Sequence, residues 1–539
     1  MKETFNELLE HAIREYWELP ALSNFEAESY TFGQVGERIA RYHLAWKEAG
    51  LEPGFRVALC GRNSAEWCIG LLAAFAYGAV AVPLLNEFTP EMVVRLVKHS
   101  EAQVLLVSQQ ILKTLEANDI KKELPDLKIN TFEKQDMVAE LFARRYPEGF
   151  KPSDVTYYKQ SADELLMINY TSGTTSEPKG VMIPQRAVWS NMAFAQEVLP
   201  FLGKGQEVVS MLPTAHLYGM AFELLYEFIV GIHITFLNRA LSPNIILKAL
   251  ATVKPCLIVV VPMIIEKVVR KGLMPKYNAP LMKVLRHIPL VGSIVKKKFR
   301  EGLYTALGGN FYEIIIGGAG LNGEVEAILK DIKFPYTVGY GMTECAPIIG
   351  YRDWQSFVPT SCGRPAPRME VRIDSADPQQ TPGEIITRGM NVMLGYYKNE
   401  EATLRAIDAD GWLHTGDMGV MDADQNIFIR GRIKNMLLSP SGQNVYPEEI
   451  EAVVNGMPYV VESVVVQREH RLIALVFPDR PAAAAAGLAD DEAILKLLHS
   501  RQSDVNKNFP SYAHINDIEL VKEEFEKTPK KSIKRFLYS

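Results

Sequence analysis

The chain has 539 residues, 47% of them hydrophobic and 23% charged, a balance typical of soluble globular proteins, and its length alone allows roughly three or four domains. A formal net charge of −6 argues against general nucleic-acid binding. Cys60, Cys68, Cys256, Cys345 and Cys362 are too widely spaced for a zinc cluster and fit a reducing cytoplasm. The opening stretch MKETFNELLEHAIREYW is charged throughout, without the apolar core of a signal peptide. The longest apolar runs, such as Cys256 to Ile265, are interrupted by Pro262 and too short to cross a bilayer.

In chain order, Thr31 and Gln34 have capping-box spacing, which predicts a helix running toward Trp46. Residues 55–60 read as a strand and 64–77 as an apolar helix-like run. Residues 79–83 and 104–107 read as further strands, so a parallel sheet covered on both faces is expected. The alternation resumes from 207 to 340, with strands predicted at 207–212, 232–236, 257–261 and 312–316. From about 351, short strands at 371–374, 383–387, 418–421 and 427–430 with turn residues between them suggest a small antiparallel unit. Beyond Gly431 the chain reads as one small α/β segment, with Pro481 to Gly487 as a loop running into a helix.

The stretch Tyr170-Thr-Ser-Gly-Thr-Thr-Ser-Glu-Pro-Lys-Gly180 is suited to hold phosphate. Thr171, Ser172, Thr174, Thr175 and Ser176 bring hydroxyl donors, Gly173 lets the backbone turn its N–H groups to an anion, and Lys179 adds a point charge. Apolar runs on either side predict two flanking buried strands. The stretch does not end in Gly-Lys-Ser/Thr, so it is no Walker P-loop. Gly318-Ala319-Gly320-Leu-Asn-Gly323 matches a dinucleotide fingerprint between a strand-like and a helix-like segment, which keeps a dehydrogenase as a second hypothesis. The next strand runs into Tyr340-Gly341-Met342-Thr343-Glu344 instead of a lone ribose-gripping acid. That loop offers an aromatic face for a purine, a hydroxyl for phosphate and a carboxylate for Mg²⁺. Trp412 to Asp417 reads as a turn ending in an acid suited to ribose hydroxyls, and Arg432 offers a guanidinium to the same sugar or a phosphate. Lys434 sits where the antiparallel unit gives way to the last segment, a place for a hinge. His216 in Pro213-Thr-Ala-His-Leu-Tyr-Gly219 is open between base, gate and satisfied core histidine. Together these loops hold the parts of a Mg-ATP site.

The ordered set of phosphate loop, Tyr-Gly-Met-Thr-Glu, Thr-Gly-Asp, Gly-Arg and Ser441-Gly442-Gln-Asn-Val-Tyr-Pro-Glu-Glu-Ile-Glu451 resembles the adenylate-forming superfamily of acyl-CoA synthetases, peptide adenylation domains and luciferases. Segments 212–216, 296–309 and 525–538 resemble long-chain fatty acyl-CoA synthetases. The resemblance implies an α/β fold: a large N-terminal domain of two doubly wound sheets plus a small β-barrel (1–431), and a small mobile α+β C-terminal domain (432–539). It implies that a carboxylic acid attacks the ATP α-phosphorus, releasing pyrophosphate, and that a thiol, coenzyme A or an acyl carrier protein, then takes the acyl group. It assigns Thr171 to Lys179 to the β- and γ-phosphates, Thr343 to the α-phosphate and Glu344 to Mg²⁺. It places Gly318, Ala319, Tyr340 and Gly341 around adenine, Asp417 and Arg432 on ribose, and His216 beside the acyl site. Lys434 becomes the pivot and Gly442 faces the thiol path. Two positions depart from the family pattern: Ser176 stands where a Gly is usual, and Ser532 stands at the adenylation lysine, with Lys531 as the nearest substitute. An aryl acid substrate and a non-catalytic acyl or nucleotide binder are the other readings. The basic, partly apolar stretch 267–300 is either a membrane-resting surface or a solvated basic helix.

Overall fold

The computed structural model describes residues 4–133, 138–171, 178–238, 242–439, 442–469, 471–528 and 533–538. The predicted N-terminal elements form where local chemistry directs them. Thr31 accepts from the Gln34 N–H at 3.2 Å and Gln34 Oε1 accepts from the Thr31 N–H at 2.9 Å, and the helix Phe32–Glu48 starts there. Helix Ala65–Tyr77 is apolar all round and almost wholly buried. Ser64 caps its start, and Gly78, at φ 82°, ends it where a Cβ would lie 2.5 Å from the Tyr158 ring.

That helix covers a seven-stranded sheet. Arg56–Cys60 sits between Val80–Leu84 and Val104–Val107, all parallel, with Lys128–Thr131 beyond. Leu165–Thr171 joins beside Val80–Leu84, and Lys179–Pro184 returns antiparallel to it, with Thr171 paired with Lys179. Gly395–Tyr396, from far downstream, closes that edge against Met182 and Val181.

A second layer begins with Ser29–Thr31, Pro20–Asn24, His233–Phe236 and Glu207–Ser210. Pro20–Asn24 pairs in parallel with His233–Phe236, a non-local pairing that no sequence window contains. Across a hydrogen bond from the Cys256 N–H to the Glu207 carbonyl (2.8 Å), the parallel trio Ile258–Val260, Ile314–Ile316 and Tyr336–Val338 follows.

Four antiparallel strands, Met369–Asp374, Gly383–Gly389, Leu413–Met421 and Ile427–Arg432, form the β unit. Residues of Met369–Asp374 alternate strictly between buried and exposed. One expectation is corrected here. Residues 412–417 do not end in a free turn: Asp417 lies inside strand Leu413–Met421, and Gly416, at φ 72°, takes the backbone bend. A second correction concerns 481–487, where four alanines behind the Asp479 cap form helix Arg480–Ala485 in place of the opening loop.

The C-terminal part has its own core around Val445, Ile450, Val454, Leu472 and Ile518. It holds a three-stranded sheet of Val460–Arg468, Arg471–Pro478 and Asp517–Leu520, with helices Pro447–Val454 and Asp491–Asn506. The fold is a large N-terminal domain with a smaller α+β C-terminal one. Arg270 and Asn322 of the large domain donate to the carbonyls of Asn455 and Ala452 at 3.0 and 3.4 Å.

Candidate active site

Strand ends and edges assemble the site. Lys179 opens the strand Lys179–Pro184, and its ammonium lies 4.7 Å from the centre of the Tyr396 ring. The edge strand Gly395–Tyr396 brings that ring in, and the Tyr396 hydroxyl donates to Glu344 Oε1 at 2.9 Å. Burial lowers the Lys179 pKa most, the nearby Lys434 charge lowers it further, and Glu344 opposes both. Lys179 therefore feels the charges of both Lys434 and Glu344. Glu344 is only 8% exposed and makes no ion pair with a described residue. Ser172, Gly173, Thr174, Thr175 and Ser176 lie outside the described residues.

A second group forms where strands Leu413–Met421 and Ile427–Arg432 run antiparallel. Their register sets Asp417 directly opposite Arg432, and Arg432 Nε lies 2.8 Å from Asp417 Oδ1. The Tyr340 hydroxyl donates to Asp417 Oδ2 at 2.7 Å. Asp417 is 4% exposed; burial raises its pKa, while Arg432 and the Tyr340 donor pull it back down. Tyr340 thus spends its hydroxyl on the acid and keeps its ring for the cavity wall.

That cavity is partly open to solvent. Its wall is largely aromatic and aliphatic: Phe194, Val198 and Leu199 from one helix and its end, and Tyr218, Phe222 and Tyr226 from the chain that follows His216. Those three recur every fourth residue along continuous helical backbone, which includes a π turn at Ala221–Leu225, and so line one face. The same cavity is also lined by His216, Gly317, Gly318, Tyr340, Gly341 and Thr343. Gly317 packs against Tyr218 so closely that a Cβ would lie 2.7 Å from its ring, and Gly318 has φ 85°. Ala319 is exposed just beyond. His216 caps a short helix, its Nδ1 accepting from the Tyr218 N–H at 3.4 Å.

Gly442 sits at φ 82° in an open, exposed turn of the C-terminal domain, where an added Cβ meets nothing within 4 Å. Lys531 and Ser532 lie outside the described residues. Nearby, Lys527 pairs with Glu462 at 2.8 Å, Lys534 with Glu526 and Arg535 with Glu451.

Tyr396, Tyr218, Phe222 and Tyr226 are absent from the sequence-derived site. The last three left a signal, aromatics at spacing four in an otherwise apolar run. Tyr396 left none, because only sheet pairing brings it to Lys179.

Two family models match the chain: AMP-binding enzyme over residues 9–397, and AMP-binding enzyme C-terminal domain over 434–538. Long-chain-fatty-acid–CoA ligase ACSBG2 of Rattus norvegicus is 26% identical over 514 residues, which cover 88% of this chain and 76% of that protein. Luciferin 4-monooxygenase of Photinus pyralis is 26% identical over 514 residues, covering 91% and 83%. Among solved structures, ATP-bound MatB from Rhodopseudomonas palustris has a TM-score of 0.77 at 21% identity, with 99% and 98% covered. The anthranilate CoA ligase AuaEII in complex with anthranoyl-AMP has a TM-score of 0.80 at 20% identity, with 99% and 96% covered. At these identities the two structures share its fold.

Proposed function

The chain belongs to the AMP-binding enzyme family, and we propose that it activates a medium- to long-chain fatty acid with ATP and passes the acyl group to coenzyme A. The observation that carries this reading is a cavity whose lining is mainly aromatic and aliphatic and also includes His216 and Thr343. Such a cavity holds an acyl chain inside and presents its carboxylate beside Thr343 and the Gly317–Gly318 turn. The carboxylate oxygen bonds to the ATP α-phosphorus and the bond to pyrophosphate breaks. In the second step the thiol sulfur takes the acyl carbon, its proton goes to solvent, and AMP leaves.

Each residue group has a physical task. Two anions must meet, so Lys179 and the Thr171 to Thr175 loop neutralise the β- and γ-phosphates, and Thr343 donates to the α-phosphate. Losing one donor aimed at developing charge costs about 10²–10³-fold in rate. Asp417 accepts from ribose with Arg432 beside it, and Tyr340 with Gly318, Ala319 and Gly341 frames adenine. Glu344 suits Mg²⁺: it is buried, held by Tyr396 and unpaired with any described cation, and magnesium needs one or two carboxylates besides phosphate oxygens. When bound, the ion screens phosphate charge. We place the domain boundary after Gly431, with Lys434 as pivot and Gly442 turning toward the thiol. We place the enzyme in the cytoplasm.

An aryl acid is the second reading, favoured by the stacking faces of Phe194, Tyr218 and Phe222 in the same wall. An acyl carrier protein is the alternative acceptor. Pyrophosphate release with a panel of acids, followed by the mass of the thioester formed, tests all three. The reading expects release with fatty acids and an acyl-CoA product; release with no acid reduces the chain to a binder.

A further inference from the structure

From Lys267 to Arg300 the sequence carries ten Lys or Arg and no Asp or Glu, inside a chain of formal charge −6. The segment folds on the outside of the Ile258–Val260 sheet layer as helices Met274–Tyr277, Pro280–Leu285 and Val291–Ala306. Its base is anchored. Asp331 pairs with Lys296 at 2.6 Å and accepts from the Tyr277 hydroxyl, and the Arg286 guanidinium lies 3.4 Å from the centre of the Tyr277 ring. Gly292 lets the last helix close on the one before it, since a Cβ there would lie 2.3 Å from the Arg286 carbonyl oxygen.

The far end of this hairpin is bare. Leu281, Val284, Ile288, Leu290, Val291 and Ile294 all face solvent, Leu290 at 83% exposure and Leu281 at 64%. They make up about a third of the large apolar side chains exposed among the described residues, gathered into fourteen consecutive positions. Isolated exposed apolar residues need no explanation, but a contiguous group marks a contact surface. Lys276, Lys283 and Lys298 are exposed on the same three helices and make no ion pair with a described residue.

We propose that this hairpin docks on an anionic lipid bilayer, with the Leu281–Ile294 tip entering the headgroup boundary and the lysines facing lipid phosphates. The occupant must be apolar at the tip and negative around it, and an anionic leaflet meets both demands at once. A second copy of the chain is an outcome of the test. The inference goes beyond the reaction proposed above and is measured without its substrates.

The experiment is flotation of the full chain, without ATP or acid, on vesicles of phosphatidylcholine alone or mixed with phosphatidylglycerol. Binding to the mixed vesicles is expected, stronger than to the neutral ones and weakened by salt. The triple variant Lys276→Gln, Lys283→Gln, Lys298→Gln lowers partition about a hundredfold, at about fivefold per lysine. Leu290→Ser lowers it about tenfold. Acid-dependent pyrophosphate release with a water-soluble acid stays at the wild-type level in both variants, which shows that they fold. The inference is overturned if the mixed vesicles fail to bind, if the variants float like wild type, or if wild type sediments as a dimer that Leu290→Ser splits. Absence of vesicle binding by the wild type with its pyrophosphate release intact removes the docking surface and leaves the proposed reaction standing; the opposite result does the reverse.

Discussion

Asp417→Asn is a change whose consequence follows from geometry already described. The carboxylate has the Arg432 Nε as an ion-pair partner 2.8 Å from one oxygen and accepts from the Tyr340 hydroxyl on the other at 2.7 Å. Each oxygen keeps a second lone pair, and these are the two acceptors proposed for ribose. In the asparagine, Oδ1 must face Arg432, which has no acceptor, and Nδ2 must face the Tyr340 oxygen, which can accept. The side chain therefore still fits. Burial already raises the Asp417 pKa, so removing its charge costs folding little. One ribose hydroxyl loses a charge-assisted bond worth about 1.5–3 kcal/mol, which corresponds to ATP binding weakened about 10- to 100-fold. Calorimetric titration with ATP, beside a thermal melt of the free protein, measures both effects. An ATP affinity equal to wild type, with the melt also unchanged, would refute the placement of ribose on this pair.

Three further outcomes are expected. Tyr396→Phe keeps a ring under Lys179 but removes the donor to Glu344, so the Mg²⁺ concentration giving half-maximal pyrophosphate release rises about tenfold or more; an unchanged Mg²⁺ requirement speaks against Glu344 as the ligand. Lys531→Ala lowers acyl-AMP formation far more than thioester formation from supplied acyl-AMP, because Lys527 and Lys534 are engaged with Glu462 and Glu526; equal survival of both steps excludes Lys531 as the substitute for a lysine at 532. Glu227 is wholly buried, with Oε2 unpartnered, and burial raises its pKa to about 8. The folded state therefore keeps a proton that the unfolded chain gives up near 4.5, and this group makes stability fall as pH rises from there through about 8. Glu227→Gln removes that loss, so its urea stability relative to wild type improves by at least about 1.4 kcal/mol between mildly acidic and mildly alkaline pH. A pH-independent difference would contradict the buried neutral acid.

The legible parts of this molecule share one property: their chemistry is local. The Thr31–Gln34 cap, the apolar run 65–77 and the polar loops that interrupt buried strands all announce themselves within a few residues. Asp417 and Arg432 were readable as an acid and a base, although the strand register that makes them face each other is not local information. Pairing across distance hid the rest. Pro20–Asn24 finds its partner at His233–Phe236, and Tyr396 reaches Lys179 and Glu344 only because Gly395–Tyr396 completes a sheet edge. Composition does not set Tyr218, Phe222 and Tyr226 apart, since a cavity wall and a packed core have the same composition until backbone geometry leaves space between them. The strand carrying Asp417 was read as a turn because Gly416 signals a bend, and the backbone does bend there without leaving the sheet.

The account stands on direct attack of an acid oxygen on the α-phosphorus of ATP. Incubating the protein with ATP, coenzyme A and a fatty acid labelled with heavy oxygen in its carboxylate, then weighing the nucleotide by mass spectrometry, tests that step alone. One labelled oxygen in AMP is the predicted result. Label appearing in inorganic phosphate with ADP as the nucleotide product, or no label transfer with any acid, would contradict it.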